Sequence, residues 1–175
     1  MKKSTAKKII GIGGSIIMIV ILCCVITAMP TAEEKEQRII DEKVLADDSY
    51  AVIEGDSMSP TLENDDVIEI HKGTYPEYHD IIVFNHDEDK YIKRVIGLPG
   101  DTIEIKDGNV YRNGIMEEFL SDEETNPYAV DEPIVVEEGH YFVLGDNRSS
   151  SYDSRMFGSV AQEDVIGTAE KSEDF

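Results

Sequence analysis

The sequence predicts a mainly β domain of antiparallel sheets that follows a single N-terminal transmembrane helix. Three observations lead to this fold class. Residues 9–28 form a run of twenty uncharged, mostly apolar residues. Beyond that run, short stretches of β-branched and aromatic residues alternate with turn residues, as in antiparallel sheets. The dipeptides Asp107-Gly108 and Asn113-Gly114 are strong signals for two-residue hairpin turns.

Composition limits the classes of function. The 175 residues suffice for one membrane segment and one domain of ordinary size. Lys and Arg total 16 against 37 Asp and Glu, so the formal net charge is -21. This acidity argues against nucleic acid as a partner, because phosphates would be repelled. The two cysteines, Cys23 and Cys24, both lie in the apolar run, so the remaining chain can build neither a disulfide framework nor a thiolate metal site.

The apolar run at 9–28 has the length, about twenty residues, that a helix needs to cross the hydrocarbon core. A cleavable signal peptide is the competing interpretation, but its apolar region would span only about 7 to 15 residues. Basic residues precede the run and acidic residues follow it, so the positive-inside rule places residues 1–8 in the cytoplasm. The charged, helix-prone residues 29–48 are then a stalk, and residues 49–175 an extracytoplasmic domain. A lack of cysteine in that domain would suit a Gram-positive bacterium.

Within the outer domain the apolar period changes to two, which is typical of strands. The predicted strands are residues 50–54, 67–71, 81–84, 91–96, 102–106, 134–136 and 141–145. The two hairpin turns predict a three-stranded meander between residues 102 and about 118. Residues 117–132, which are rich in Glu and Asp, are expected to form an exposed loop.

Three segments differ from ordinary scaffold sequence. In the first, residues 55–62, Ser57 lies in a turn at the end of a strand, where a side chain can be exposed yet held by rigid structure. A simple Gly/Ser/Pro turn is the alternative. In the second, strand alternation puts Lys93 and Arg94 on opposite faces, so one of these bases must lie beside large apolar side chains.

A buried lysine of this kind would have a lowered pKa and could accept a proton from a hydroxyl group near neutral pH. An exposed edge strand with snorkelling basic side chains is the alternative. The third segment, residues 145–155, is a polar loop directly after an apolar strand. Asp153 and Arg155 could form an ion pair there, and Ser151 could donate a hydrogen bond to a neighbour. A serine with a lysine base needs neither histidine nor metal.

In this order the three segments resemble the bacterial type I signal peptidases. The matching motifs are Gly-Asp-Ser-Met-x-Pro-Thr-Leu (55–62), Tyr-Ile-Lys-Arg-Val-Ile-Gly-Leu-Pro-Gly-Asp (91–101) and Gly-Asp-Asn-x-x-x-Ser-x-Asp-Ser-Arg (145–155). The resemblance implies two coiled antiparallel β-sheets and a serine endopeptidase that removes signal peptides at the outer face of the cell membrane. It also implies signal peptides of secreted preproteins and membrane lipid as partners, proximity to the secretion translocon, and no cofactor or metal.

Residue by residue, the resemblance makes Ser57 the nucleophile and Lys93 the general base. Ser151 matches the serine that orients the lysine, and Asp153 and Arg155 match a supporting ion pair. The residues that match the lining of the substrate pockets are Met58, Leu62, Tyr91 and Ile92 for the residue before the cut and Ile53 for the pocket further upstream.

The sequence departs from some relatives at two places. Gly55 stands where Gram-negative members have a serine that helps to bind the oxyanion. We therefore assign the oxyanion site to Ser57 and Gly55, with the main-chain N–H of Ser57 as the hydrogen-bond donor. The segment between the second and third motifs is short, so residues 102–140 are expected to form only a small β extension. A membrane-anchored accessory or assembly protein without catalysis is the main alternative function, but it would not need the full set of site residues.

Two further classes fit less well. A self-cleaving repressor with a Ser and Lys pair would need a DNA-binding region where the apolar run lies. A signal peptidase of the endoplasmic reticulum type would have histidine in place of Lys93.

Overall fold

The computed structural model describes residues 31, 32, 35, 48–118 and 132–173. The chain divides into two compact units, Met1–Glu42 and Lys43–Phe175. In the first unit, the main-chain N of Lys35 donates a hydrogen bond to the carbonyl oxygen of Thr31 at 3.1 Å.

Several sequence-based expectations concern residues outside this description. The predicted transmembrane helix at 9–28 lies wholly outside the described residues, as do most of the stalk at 29–48 and most of the loop at 117–132. Among the residues that are described, no helix has the length and apolar character that a membrane crossing requires. The anchor and the domain boundaries stay predictions.

The described part of the second unit contains eleven strands, one short α-helix and one 3₁₀ helix. The strands are β1 (Tyr50–Val52), β2 (Val67–Lys72), β3 (Ile81–His86), β4 (Asp89–Gly97), β5 (Thr102–Lys106), β6 (Asn109–Arg112), β7 (Ile115–Met116), β8 (Ile134–Val135), β9 (His140–Leu144), β10 (Val160–Ala161) and β11 (Val165–Lys171). The α-helix α1 is Ser154–Phe157, and the 3₁₀ helix is Gln162–Asp164.

These strands form two antiparallel sheets. The larger sheet has the order β1-β2-β11-β3-β4-β9-β10, and the smaller one has the order β7-β6-β5-β8. Every strand pair recorded in the two sheets is antiparallel. The mainly β, antiparallel fold predicted from the sequence is therefore confirmed.

Both predicted hairpin turns are found in the smaller sheet. Asp107 and Gly108 have φ angles of 51° and 77°, and Asn113 and Gly114 have φ angles of 55° and 78°. A type I′ turn requires positive φ at both central residues, which Asp, Asn and Gly tolerate best. The turns join β5 to β6 and β6 to β7, so residues 102–116 form the expected meander.

Strand β11 was not predicted, although it lies between β2 and β3 inside the larger sheet. Its sequence, VIGTAEK, alternates weakly and contains a glycine. The register shifts between Val165 and Gly167, which marks a bulge. A Cβ atom at Gly167 would lie 2.5 Å from the carbonyl oxygen of His71, so only glycine fits this close strand contact.

Two core clusters flank the middle of β4. The first, which we call the Met58 cluster, contains Ile53, Met58, Leu62, Ile68, Ile70, Ile81, Val83 and Ala169, with Ile92 packed against it. The second, the Phe84 cluster, contains Ile82, Phe84, Val95, Tyr141, Val143 and Val160, with Tyr91 packed against it. Alternate residues of β3 and β4 enter different clusters because successive side chains of a strand point to opposite faces.

Candidate active site

The side chains of Ser57 and Lys93 meet although the residues are 36 positions apart in the sequence. Ser57 lies in the turn after β1, and Lys93 lies near the middle of β4. The Nζ atom of Lys93 donates hydrogen bonds to Ser57 Oγ at 2.8 Å and to the carbonyl oxygen of Ile92 at 2.7 Å. A potential nucleophile and a potential base are therefore in direct contact.

Lys93 is held in an apolar setting. Only 3% of the residue is exposed to solvent, and its Nζ atom lies 5.8 Å from the centre of the Tyr91 ring. Burial is the main cause that lowers the pKa of Lys93 from 10.5 to about 8, while the carboxylates of Asp153 and Asp146 act in the opposite direction. At pH 7 about a tenth of the lysines are then neutral, several hundredfold more than for an exposed lysine.

The loop that carries the third motif is fastened to the turn of Ser57. The main-chain N of Asn147 donates to the carbonyl oxygen of Ser57 at 3.1 Å. The hydroxyl group of Ser150 donates to Asp56 Oδ1 at 3.2 Å. These two contacts join the first and third motifs next to the Ser57 side chain.

Gly145 allows this close approach. A Cβ atom at this position would overlap Ser151 Oγ and would lie 2.5 Å from the carbonyl oxygen of Ser57. The Oγ atom of Ser151 is buried and has no hydrogen-bond partner among the described residues. The hydrogen bond to Lys93 that the resemblance implies is therefore not formed in this structure, and the orienting role of Ser151 stays a prediction.

Asp153 and Arg155 form the ion pair that the sequence predicts. Arg155 Nε donates to Asp153 Oδ1 at 2.8 Å, and Arg155 Nη2 donates to Asp153 Oδ2 at 2.8 Å. Both side chains are buried, and Asp153 also accepts from the main-chain N of Gly145 at 3.0 Å. Asp153 is the N-cap of α1, so the pair fixes the start of that helix and the end of β9 together.

Sequence reasoning missed a second buried ion pair, between Arg94 and Asp146. Arg94 Nε donates to Asp146 Oδ1 at 2.8 Å, and its Nη1 atom donates to the carbonyl oxygen of His79 at 2.7 Å. The alternation of side chains along β4 predicted that Arg94 lies on the face opposite Lys93, but the sequence pattern did not identify a partner for Arg94. Both bases of the second motif are in fact buried, at 3% and 6% exposure for Lys93 and Arg94.

The residues assigned to the substrate pockets do not form one group. Ile53, Met58 and Leu62 are buried in the Met58 cluster, against which Ile92 packs. Tyr91 instead packs against the Phe84 cluster. The structure therefore divides the predicted lining between the two faces of β4, because Tyr91 and Ile92 are neighbours on one strand.

Gly55, the second residue assigned to the oxyanion, has a φ angle of +92°, and no described atom lies within 4 Å of a Cβ built there. Its main-chain N donates to Asn64 Oδ1 at 2.8 Å, so this N–H is already engaged. The main-chain N–H of Ser57 is left as the assigned donor. As for metals, the described residues contain no group of three or more His, Cys, Asp or Glu side chains that could hold an ion.

Comparison with known proteins gives matches to the family that the three sequence motifs resemble. A family model described as "Signal peptidase, peptidase S26" matches residues 16–172. A probable signal peptidase I-2 from Synechocystis is 40% identical over 131 residues, which cover 67% of this chain and 59% of that protein. Signal peptidase I P from Bacillus subtilis subsp. natto is 39% identical over 137 residues, which cover 68% of this chain and 73% of that protein.

Among solved structures, a signal peptidase I from Enterococcus faecalis is 38% identical. The match covers 54% of this chain and 97% of that chain, with a TM-score of 0.47. The region that this chain shares with the Synechocystis relative covers 59% of that relative, which is less than two thirds of its length.

Proposed function

The chain belongs to the signal peptidase family, peptidase S26, and on that premise we propose that it is a membrane-anchored serine endopeptidase that removes signal peptides from exported preproteins. One observation carries the proposal: the 2.8 Å contact between Ser57 Oγ and the buried amine of Lys93. A lysine with a pKa of about 8 is neutral in a useful fraction of molecules near neutral pH.

In the acylation step, the neutral amine of Lys93 takes the proton of the Ser57 hydroxyl. The Ser57 oxygen then forms a bond to the carbonyl carbon of the peptide bond, and the carbonyl electrons move onto its oxygen. When this tetrahedral intermediate collapses, the bond to the leaving nitrogen breaks. Lys93, now an ammonium group, returns the proton to that nitrogen, so the mature protein leaves as an amine and Ser57 keeps the signal peptide as an ester.

Deacylation repeats the same proton movements with water. Lys93 takes a proton from the water, the hydroxide adds to the ester carbonyl, and the proton returns to Ser57 Oγ as the bond to the signal peptide breaks. In this proposal, the main-chain N–H of Ser57 stabilises the charge on the carbonyl oxygen. In this proposal, Asp153 and Arg155 hold the loop after β9, because Asp153 accepts from the main-chain N of Gly145 and Arg155 donates to the carbonyl oxygen of Arg148.

The proposal includes a substrate preference for small side chains, which the large apolar residues around Ser57 favour. Met58 and Leu62, which the resemblance assigns to the pocket for the residue before the cut, are each 1% exposed and belong to the Met58 cluster. The preprotein would lie extended against a sheet edge and place small side chains, mostly Ala, at the first and third positions before the cut. Those positions share one face of an extended chain.

The proposal includes the membrane anchor at residues 9–28, with the N-terminus in the cytoplasm and the catalytic domain outside the cell membrane. Anchoring would confine enzyme and preprotein to one membrane surface and raise their effective concentration. Membrane lipid and a nearby secretion translocon are the partners that this placement implies, in a Gram-positive type of envelope.

A non-catalytic accessory protein is the second candidate. Its fold would be the same, but a lysine buried next to a serine hydroxyl would then lower stability without any benefit. The burial of Lys93 therefore favours the enzyme.

The test uses the full chain solubilised in detergent, a labelled preprotein and mass spectrometry to locate the cut. Ser57→Ala and Lys93→Ala should each lose all measurable cleavage, because one removes the nucleophile and the other its base. Ser59→Ala and Lys90→Ala are matched controls, since the Ser59 hydroxyl donates to Glu63 and Lys90 is exposed on the same strand. Cleavage by a folded Ser57→Ala or Lys93→Ala variant at the wild-type rate would reject the proposal.

A further inference from the structure

The smaller sheet packs against the face of β4 that lies opposite Lys93. Side chains of β5 and β6 form one core cluster with Ile96 of β4 and with side chains of β9. Strand alternation puts Ile96 on the same face as Arg94, whereas Val95 belongs to the Phe84 cluster on the other face. The smaller sheet therefore covers the back of the strand that carries the candidate base.

Glu117 is a buried carboxylate at this interface, directly after β7. Its side chain is only 5% exposed. Glu117 Oε2 lies 2.8 Å from Arg112 Nη1, and Glu117 Oε1 lies 3.2 Å from His79 Nε2. A carboxylate that is removed from water to this extent must be compensated by nearby basic groups, so its position is tied to the positions of Arg112 and His79.

Both contact residues of Glu117 also hold β4. Arg112 Nη1 donates to the carbonyl oxygen of Ile96 at 2.9 Å. The main-chain N of His79 donates to the carbonyl oxygen of Val95 at 2.9 Å. These two carbonyl groups follow the candidate base by three and two residues, so Glu117 connects two groups that hold β4 close to that base.

The ionic contacts continue to the loop after β9, which is fastened to the Ser57 turn. Arg148 in this loop is buried, and its Nε atom donates to the carbonyl oxygen of Gly145 at 3.0 Å. Burial lowers the pKa of Arg148, while the carboxylates of Asp146 and Glu117 are among the groups that act in the opposite direction. Glu117 therefore interacts both with the groups that hold β4 and with the loop that contacts the Ser57 turn.

We infer that Glu117 is a positioning residue for the reaction, because its contacts with Arg112 and His79 fix the place of Lys93 relative to Ser57. The inference rests on the proposed function and adds to it a residue that acts through its neighbours. Loss of the carboxylate should slow the chemical step, which is sensitive to displacements of about 1 Å. Binding of the preprotein should change little.

The experiment measures single turnovers, with the full chain in detergent in large excess over a labelled preprotein. The rate constant at saturating chain reports the chemical step, and it does not depend on the folded fraction while folded chain stays in excess. Glu117→Gln keeps the shape of the side chain and removes its charge. Its saturating rate constant should fall about tenfold, while the chain concentration at half-saturation stays within about twofold of wild type. Glu118→Gln, which removes the next, exposed carboxylate, is the matched control and should keep both values.

A second variant tests whether Glu117 acts through the ion pair. Arg112→Gln should lower the saturating rate constant by a similar factor. The double variant Glu117→Gln with Arg112→Gln should be no slower than the slower single variant, because both substitutions break the same contact. Losses that multiply in the double variant would mean that the two residues act independently, and would overturn the inference.

The remaining outcomes separate this inference from the proposed function. If wild-type chain cuts no preprotein, the proposed function fails and the positioning role fails with it. If wild type cuts and Glu117→Gln keeps the wild-type rate constant, with or without a higher concentration at half-saturation, Glu117 serves only the fold and the inference alone is overturned. Circular dichroism checks the fold of each variant. If Glu117→Gln is unfolded, Arg112→Gln decides by the same two values, and unfolding of both variants would overturn the inference.

Discussion

Replacement of Lys93 by methionine tests the burial of the base directly. Methionine has a similar length and no charge, so Lys93→Met removes the ionisable group while it keeps an apolar chain in the same space. We expect this variant to be inactive. At neutral pH it should also lack the free-energy cost of burying a charged lysine, which lowers the stability of the wild-type fold.

The size of the penalty follows from the pKa. Lys93 has a pKa of about 8 in the folded chain against 10.5 when exposed, a difference of about 2.5 units. Each unit corresponds to about 1.4 kcal/mol, so keeping the charged lysine buried destabilises the fold by about 3 kcal/mol. Above pH 10.5 the amine is neutral in both states and the penalty is absent. As the pH falls the penalty grows, and below about pH 8 it is constant.

The assay is urea unfolding of the full chain in detergent, for wild type and Lys93→Met, at several pH values from 6.5 to 10.5. Other titrating groups are common to both proteins, so their effect cancels in the difference between the two free energies of unfolding. The hydrogen bonds that Lys93 loses add an offset that does not depend on pH. As the pH rises from about 8 to 10.5, the free energy of unfolding of wild type should increase by about 3 kcal/mol relative to that of the variant.

A difference that stays constant over this range would refute the reasoning, because it would mean that Lys93 titrates alike in the folded and unfolded chain. A difference that changes in the opposite direction would mean that the charged amine is stabilised by Asp153 and Asp146 more than it is destabilised by burial.

Four further predictions follow from the same site. Wild-type kcat/KM should rise about tenfold per pH unit up to about pH 8 and then level off, with or without a chelator; a flat profile down to pH 6 would contradict a lysine base. Gly145→Ala should lower the free energy of unfolding by about 2 kcal/mol, measured in urea, because its Cβ collides with Ser57 and Ser151. Ser151→Ala should not lower stability, since Ser151 Oγ is buried without a partner among the described residues, but should reduce kcat by about tenfold if it orients Lys93 during the reaction. Arg94→Lys should lose about 3 kcal/mol of stability with the buried pair to Asp146, yet keep the break in the pH profile near 8.

Much of the fold was predictable because its signals are local. Alternation with a period of two identified β1 to β5, β8 and β9, and the Asp-Gly and Asn-Gly pairs identified both turns of the meander. Strand β11 was missed because its central place depends on pairing with β2 and β3, which are far away in the sequence. A bulge at Gly167 further weakened the local pattern.

From the amino-acid sequence, the resemblance of three motifs to a known family named Ser57, Lys93 and the pair Asp153 and Arg155 as candidate site residues. The folded structure was needed to show that Lys93 is buried, that Arg94 forms an ion pair with Asp146, and that the side chains of Tyr91 and Ile92 pack on different faces of β4. The physical reason is that residue type and local periodicity can be read directly from the sequence. The pKa of a side chain depends instead on how far packing removes it from solvent and on which charges lie nearby. Those neighbours come from β4, the Ser57 turn and the loop after β9, segments that meet only when the larger sheet is complete.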